Sequence, residues 1–135
     1  MKRFVLGGAV ALAVVAASLQ SWSTFAAPGK EPMVGHMVYF QLQDGSPANV
    51  TKFLAGCDKY LKNHPGEVFY AAGTLAKNLN RPVNDRDWDA ALHIVFKTMA
   101  DHDKYQDSQR HLQFIEEWKN QMKKVRVFDS LIESK

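Results

Sequence analysis

From Val34 onward the chain alternates. His36, Val38, Phe40 and Leu42 fall on one side of an extended segment, and Met37, Tyr39 and Gln41 on the other. That period of two predicts a first strand. Asp44, Gly45 and Ser46 then supply turn residues. Ser46 is placed to cap a helix, and Pro47 stands at its first position, where a missing N–H costs nothing. Val50, Phe53, Leu54, Cys57, Tyr60 and Leu61 recur at helical spacing. The helix they predict stops near Asn63, because Pro65 and Gly66 cannot continue it. Residues Glu67–Leu75 predict a second strand and Asp87–Lys97 a third, joined by a polar connection containing Pro82. In the third strand Trp88, Ala90, Leu92, Ile94 and Phe96 share one side, and Asp89, Ala91, His93 and Val95 the other. Thr98–Asp101 has the capping-box pattern and opens a second helical region. A break at Asp107–Ser108 divides that region, with Ser108 capping the second part. Leu112, Ile115, Trp118 and Met122 continue as an apolar stripe, and Val125–Ile132 predicts the last strand.

The order β-α-β-β-α-β is the split βαβ, or ferredoxin-like, arrangement of the α+β class, in which helices cover one face of a sheet. The other face would be bare in a lone subunit. It is not a wet face, because the strands offer Met37, Tyr39, Phe69, Val95, Phe128 and Ile132 besides the helix-facing set. Apolar surface of that extent calls for a cover. The simplest cover is a second copy packed face to face, so a homodimer is expected.

The N-terminus bears on where the protein works. Lys2 and Arg3 precede an uncharged, mostly apolar run from Phe4 to Leu19, and Thr24-Phe25-Ala26 fits a cleavage site. This is the pattern of a secretory signal peptide. It predicts a signal peptide over residues 1–26, a flexible lead over 27–33 and one domain over 34–133. It also predicts export to the periplasm or exterior, with no membrane attachment after cleavage. The competing reading is a retained anchor, since the run approaches the roughly 20 residues that span a bilayer. Removing residues 1–26 from 135 leaves 109, which suits a single core. The formal charge of +3 falls to +1 once Lys2 and Arg3 leave, which argues against a nucleic-acid surface despite a pI near 9.0. Lys119, Lys123, Lys124 and Arg126 read as a solvated helix end, where cations complement the helix dipole. Cys57 is the sole cysteine, so no intramolecular disulfide can form. Its place on the apolar helix face predicts burial.

Four segments taken in order carry a resemblance. They are the strand His36–Leu42, the strand Asp87–Phe96, the Tyr105-x5-His111 pair and the closing Val125–Ser130. Together they resemble the stress-responsive A/B barrel family, over essentially all of 34–132. The resemblance implies a ferredoxin-like unit whose sheets pair into a dimeric α+β barrel. It also implies a cavity and sites. A plant polyketide cyclase of this family closes its substrate by aldol condensation without metal or nucleotide, using a Tyr and a His separated by five residues. That pair falls here on Tyr105 and His111, and the family's first-strand pocket histidine falls on His36. The third-strand pocket histidine of that cyclase is replaced here by Ala90.

The residues themselves suit acid–base work. A neutral histidine accepts a proton near physiological pH, and a tyrosine hydroxyl can donate to a developing enolate oxygen. Positions six apart are not neighbours on one helix, so Tyr105 and His111 need the break at Ser108 to converge. The structural alternative makes His111 a tie between the helix break and the sheet, and Tyr105 a half-buried ring with its hydroxyl at the rim. His36, Val38 and Phe53 are expected to line the ligand cavity. His93 is expected at the sheet–sheet contact, and His64 and His102 in solvent. No His-x3-His or paired-cysteine spacing occurs, so no metal or other cofactor is predicted. A site from His36, His93 and His111 would have to be assembled by the fold. Asp85, Asp87 and Asp89 lack the glycine and distal glutamate of a calcium loop and are expected to pair with Arg81, Arg86 or Arg126. The function expected first is binding of a small hydrophobic ligand. The alternatives are a cofactor-independent cyclase or monooxygenase-like enzyme, and a structural, stress-protective assembly.

Overall fold

The structure is a computed structural model and describes residues 31–133. The expected signal peptide and most of the lead lie outside the described residues. Four strands and three helices follow in the order β1 (Met33–Leu42), α1 (Pro47–Leu61), β2 (Glu67–Thr74), β3 (Ala90–Phe96), α2 (Met99–Gln106), α3 (Gln109–Trp118) and β4 (Met122–Ile132), with a short 3₁₀ turn, Lys119–Gln121, before β4. Among the described residues no helix is long and apolar enough to cross a membrane.

The strands form one antiparallel sheet in the order β2-β3-β1-β4. This is the ferredoxin-like topology expected from the element order. Crossing from β1 to β2 through α1 leaves a gap between those strands, and β3 fills it. The helices lie on the face that carries His36, Val38, Phe40 and Leu42, all buried. Register places Val38 between Leu92 of β3 and Val127 of β4, so the three side chains share that face.

Local chemistry explains the boundaries. Pro47 opens α1 as expected, but the Ser46 hydroxyl bonds Asp44 rather than a helix N–H. Asn63 (φ 61°) and Gly66 (φ 80°) turn the chain after α1 in the left-handed region. At Gly66 a side chain is barred twice over, by the backbone conformation and by Asp101, 2.2 Å from where a Cβ would stand. Thr98 and Asp101 form the capping arrangement: the Thr98 hydroxyl accepts from the Asp101 N–H and donates to its carboxylate.

Three further expectations need correction. β3 begins at Ala90, not Asp87, and Trp88 does not share the face of Ala90. Its ring sits 5.0 Å from Tyr39, on the opposite face, because the chain swings out before the strand begins. In α3 the inward stripe is His111, Phe114 and Trp118, whereas Leu112 and Ile115 are exposed. Arg126 does pair with Asp85, but Arg86 bonds the carbonyls of Lys77 and Leu79, and Arg81 bonds Asn84.

The core between helices and sheet centres on Phe53, whose ring meets Phe40 at 4.9 Å, Trp118 at 5.2 Å and Phe114 at 5.6 Å, all edge-on. Such pairs add about 0.5–1.5 kcal/mol each beyond the area they bury. Cys57 is buried beside them, and burial pushes its thiol pKa up to about 12, so it is inert. Gly56 lets α1 approach Trp118 closely: a Cβ there would lie 2.6 Å from the indole Nε1. Alanine gains about 1 kcal/mol of helix propensity, but overpacking a filled core costs about 1–3 kcal/mol. Gly56→Ala is therefore expected to lower stability in urea denaturation. A more stable variant would show that the indole moves aside freely.

Candidate functional site

The site begins at the break between α2 and α3. The Ser108 hydroxyl donates to the Tyr105 carbonyl at 2.8 Å and accepts from the His111 N–H at 3.3 Å, so one side chain ends one helix and starts the next. The Gln106 carbonyl, freed from the helix ladder, lies 2.9 Å from His111 Nδ1. A carbonyl only accepts, so Nδ1 carries the proton and Nε2 is left as the free acceptor.

The break folds His111 back onto Tyr105, with ring centroids 4.7 Å apart. Tyr105 is the hub of a larger cluster. His64 meets its ring edge-on at 4.8 Å and His36 at 5.8 Å, while the Phe96 ring lies tilted against it at 5.0 Å. His102 in turn meets His36 at 5.3 Å. Four of the five histidines thus converge on the helix-covered face. His93 does not. It lies on the opposite face beside Met37 and Tyr39, so a metal site from His36, His93 and His111 cannot form.

Polar partners set the chemistry. His36 Nδ1 donates to the Asp129 carboxylate at 2.6 Å. Burial lowers the His36 pKa, and the Asp129 hydrogen bond and charge offset part of that. Burial also lowers the His111 pKa, against the opposing hydrogen bond to the Gln106 carbonyl. Tyr105 is driven the other way: burial raises its pKa and keeps the hydroxyl protonated. Among the described residues that hydroxyl makes no hydrogen bond, so it has a donor to offer. Neutral His111 and protonated Tyr105 side by side form an acceptor and a donor at one spot.

These groups stand at one end of a cavity of about 340 Å³ between the sheet and α3. His36, Tyr105, Gln106 and His111 make the polar end, and the rest is apolar, including Val38, Ile115 and Val127. A larger hollow of about 460 Å³ lies on the opposite face, lined by Met37, Tyr39, Trp88 and Phe128. It also carries the Asp85–Arg126 ion pair but no histidine, and it lies on the surface expected to meet a second subunit.

Of the residues expected from sequence, His36, Val38, Tyr105 and His111 share the cavity. Phe53 does not line it, because its ring is wholly buried among Phe40, Phe114 and Trp118. Tyr105 is buried too, not at a rim. His64 and His102, expected in solvent, are held inside. His64 bonds the Tyr60 carbonyl, and the His102 ring packs on Phe96. Asp129 and Gln106 were not singled out by sequence. Their roles arise from strand register and from a freed carbonyl, and neither leaves a spacing to read.

The depressed His111 pKa has a definite sign for stability. Below 6.5 the unfolded chain binds a proton that the folded site resists, so stability rises with pH through this window. The contribution is full above 6.5 and is lost as pH falls toward the folded value. Titration by NMR should place the His111 midpoint below 6.5. A midpoint at or above that value would mean that water reaches the ring freely.

The stress-responsive A/B barrel domain model matches residues 34–132. Among curated proteins none matches the chain. Solved structures share the fold. A Dabb-family protein with a ferredoxin-like fold from Mesorhizobium loti is 22% identical with a TM-score of 0.63, covering 77% of this chain and 100% of its own. The hydroxynitrile lyase of Passiflora edulis is 22% identical with a TM-score of 0.61, covering 78% and 97%. A dimeric ferredoxin-like protein of unknown function from Thermobifida fusca is 15% identical with a TM-score of 0.62, covering 76% and 93%. With the family match running from β1 to the end of β4, on the topology just described, this chain belongs to the stress-responsive A/B barrel domain family.

Proposed function

We propose that this protein is an exported homodimer that binds a small, mostly apolar molecule in the cavity beneath α3. The observation that carries the reading is the cavity itself: about 340 Å³ of largely apolar space with Tyr105 and His111 in contact at its polar end. Sites of this kind hold a ligand by its apolar body and orient it by a few polar groups. The ligand's oxygen would meet the Tyr105 hydroxyl and the His111 imidazole.

The same geometry favours a second reading, cofactor-independent proton transfer on a ketide-like or phenolic ligand. His111 Nε2 takes a proton from the carbon beside a carbonyl, and the electron pair moves onto the carbonyl oxygen. The Tyr105 hydroxyl donates to that enolate oxygen, where the charge develops. A hydroxynitrile lyase among the structural neighbours indicates that this fold accommodates catalysis. His111→Gln is expected to lower any turnover found in a substrate panel by about 100-fold or more, while ligand affinity changes far less. Unchanged turnover would remove His111 from the chemistry and leave binding alone.

The dimer reading rests on the uncovered sheet face. Phe69 and Phe128 there are 53% and 55% exposed, alongside Met37, Tyr39 and Val95. The Thermobifida fusca neighbour is described as dimeric. Export rests on the Lys2-Arg3 start and the apolar run after it. Native mass spectrometry of the protein from expressing cells is expected to show two chains, each beginning at Ala27, with a small molecule retained. Phe128→Asp places a charge in the seam, at a cost of several kcal/mol to association, and should yield monomers by analytical ultracentrifugation. A variant that stays dimeric would move the interface elsewhere, and larger assemblies of the unaltered protein would favour the stress-protective role.

A further inference from the structure

Three ligating groups outside the Tyr105–His111 pair meet where α2 crosses the sheet. His36 on β1, Asp129 on β4 and His102 on α2 each offer one nitrogen or oxygen, and these three atoms lie within 4.8 Å of one another. The strand register sets His36 directly opposite Asp129. The His102 ring comes edge-on to His36 from the helix and rests on Phe96, 5.7 Å between centroids. We propose that His36, His102 and Asp129 form a binding site for a divalent late first-row metal ion of the zinc class.

The donor set selects the ion. Two imidazoles and one carboxylate suit zinc and its neighbours, whereas magnesium and calcium prefer oxygen donors throughout. Bonds of about 2.0–2.2 Å in a tetrahedral zinc site hold neighbouring donors about 3.3 Å apart. His36 Nδ1 and Asp129 Oδ1, at 2.6 Å, share a proton. The ion replaces that proton and needs the pair to part slightly while His102 moves inward. Asp129 has room to shift, because its side chain is 50% exposed while that of His36 is 5% exposed. The exposed side also leaves the ion a position for water or for a ligand oxygen.

A supporting contact already orients His102. Its Nδ1 lies 3.1 Å from an Asp103 carboxylate oxygen, so Nδ1–H donates there and Nε2 is the atom for the ion. Outer carboxylates fix metal-bound histidines in this way. In the structure Nε2 faces the Gln106 side-chain amide at 3.1 Å, and the ion would displace that amide. Of the three ligands His36 alone lines the cavity, so the ion would stand beside the cavity's polar end rather than inside it. The site does not depend on the ligand-binding reading, since its test needs no ligand.

The test is titration of Zn2+ into the purified, chelator-treated full chain by calorimetry, with Co2+ as an optical probe. One Zn2+ per subunit at micromolar affinity or tighter is expected, with a tetrahedral cobalt absorption band and no competition from excess Mg2+. His102→Asn and Asp129→Asn should each abolish the cobalt band. Asp103→Asn, which removes only the supporting contact, should weaken Zn2+ binding by about 10–100-fold. His93→Asn, on the opposite face, should change nothing. If His102→Asn fails to fold by circular dichroism, the exposed Asp103→Asn variant decides. Absence of binding at millimolar Zn2+, or binding undiminished by His102→Asn and Asp103→Asn, would overturn the site.

Discussion

The arrangement at the centre of this protein depends on one interruption of a helix. In a continuous helix Tyr105 and His111 would stand about 9 Å apart along the axis and on different faces. Ser108 ends α2 and starts α3 with a single hydroxyl, and the Gln106 carbonyl left over binds the His111 ring. The interruption thus brings the imidazole to the tyrosine, sets its tautomer and frees Nε2. Burial then works oppositely on the two groups, holding the histidine neutral and the tyrosine protonated.

The sheet separates two kinds of surface. Its helix-covered face carries the core, the cavity and four of the five histidines. Its other face carries exposed aromatic and aliphatic side chains with His93 among them. Period-two alternation makes that separation sharp, because a residue on one face of a strand cannot reach groups on the other. The two faces therefore differ in kind: the helix-covered one encloses the cavity with its polar end, and the other exposes apolar side chains.

Trp88 shows how a small irregularity changes such an assignment. Alternation runs unbroken through residues 87–97 in sequence, yet the strand itself starts at Ala90. The tryptophan leaves the ladder and packs on Tyr39, where it enlarges the apolar surface of the open face. Phe53 shows the converse. Its helical position points it inward as expected, but three aromatic neighbours fill the space around it and keep it off the cavity.

By itself the sequence determined the element order, the two-sided strands, the helix cap at Thr98 and the break at Ser108. These are set within a few residues, by periodicity and by side chains that compete for nearby backbone groups. Only the tertiary structure decided which histidines meet. His36 and Asp129 are 93 positions apart in the chain and 2.6 Å apart in space. His64, before a turn, and His102, in the first turn of a helix, are drawn inside because Tyr105 and Phe96 offer rings to pack against. Spacing along a chain records what a helix or strand does to its own residues. It does not record which elements the sheet then lays side by side.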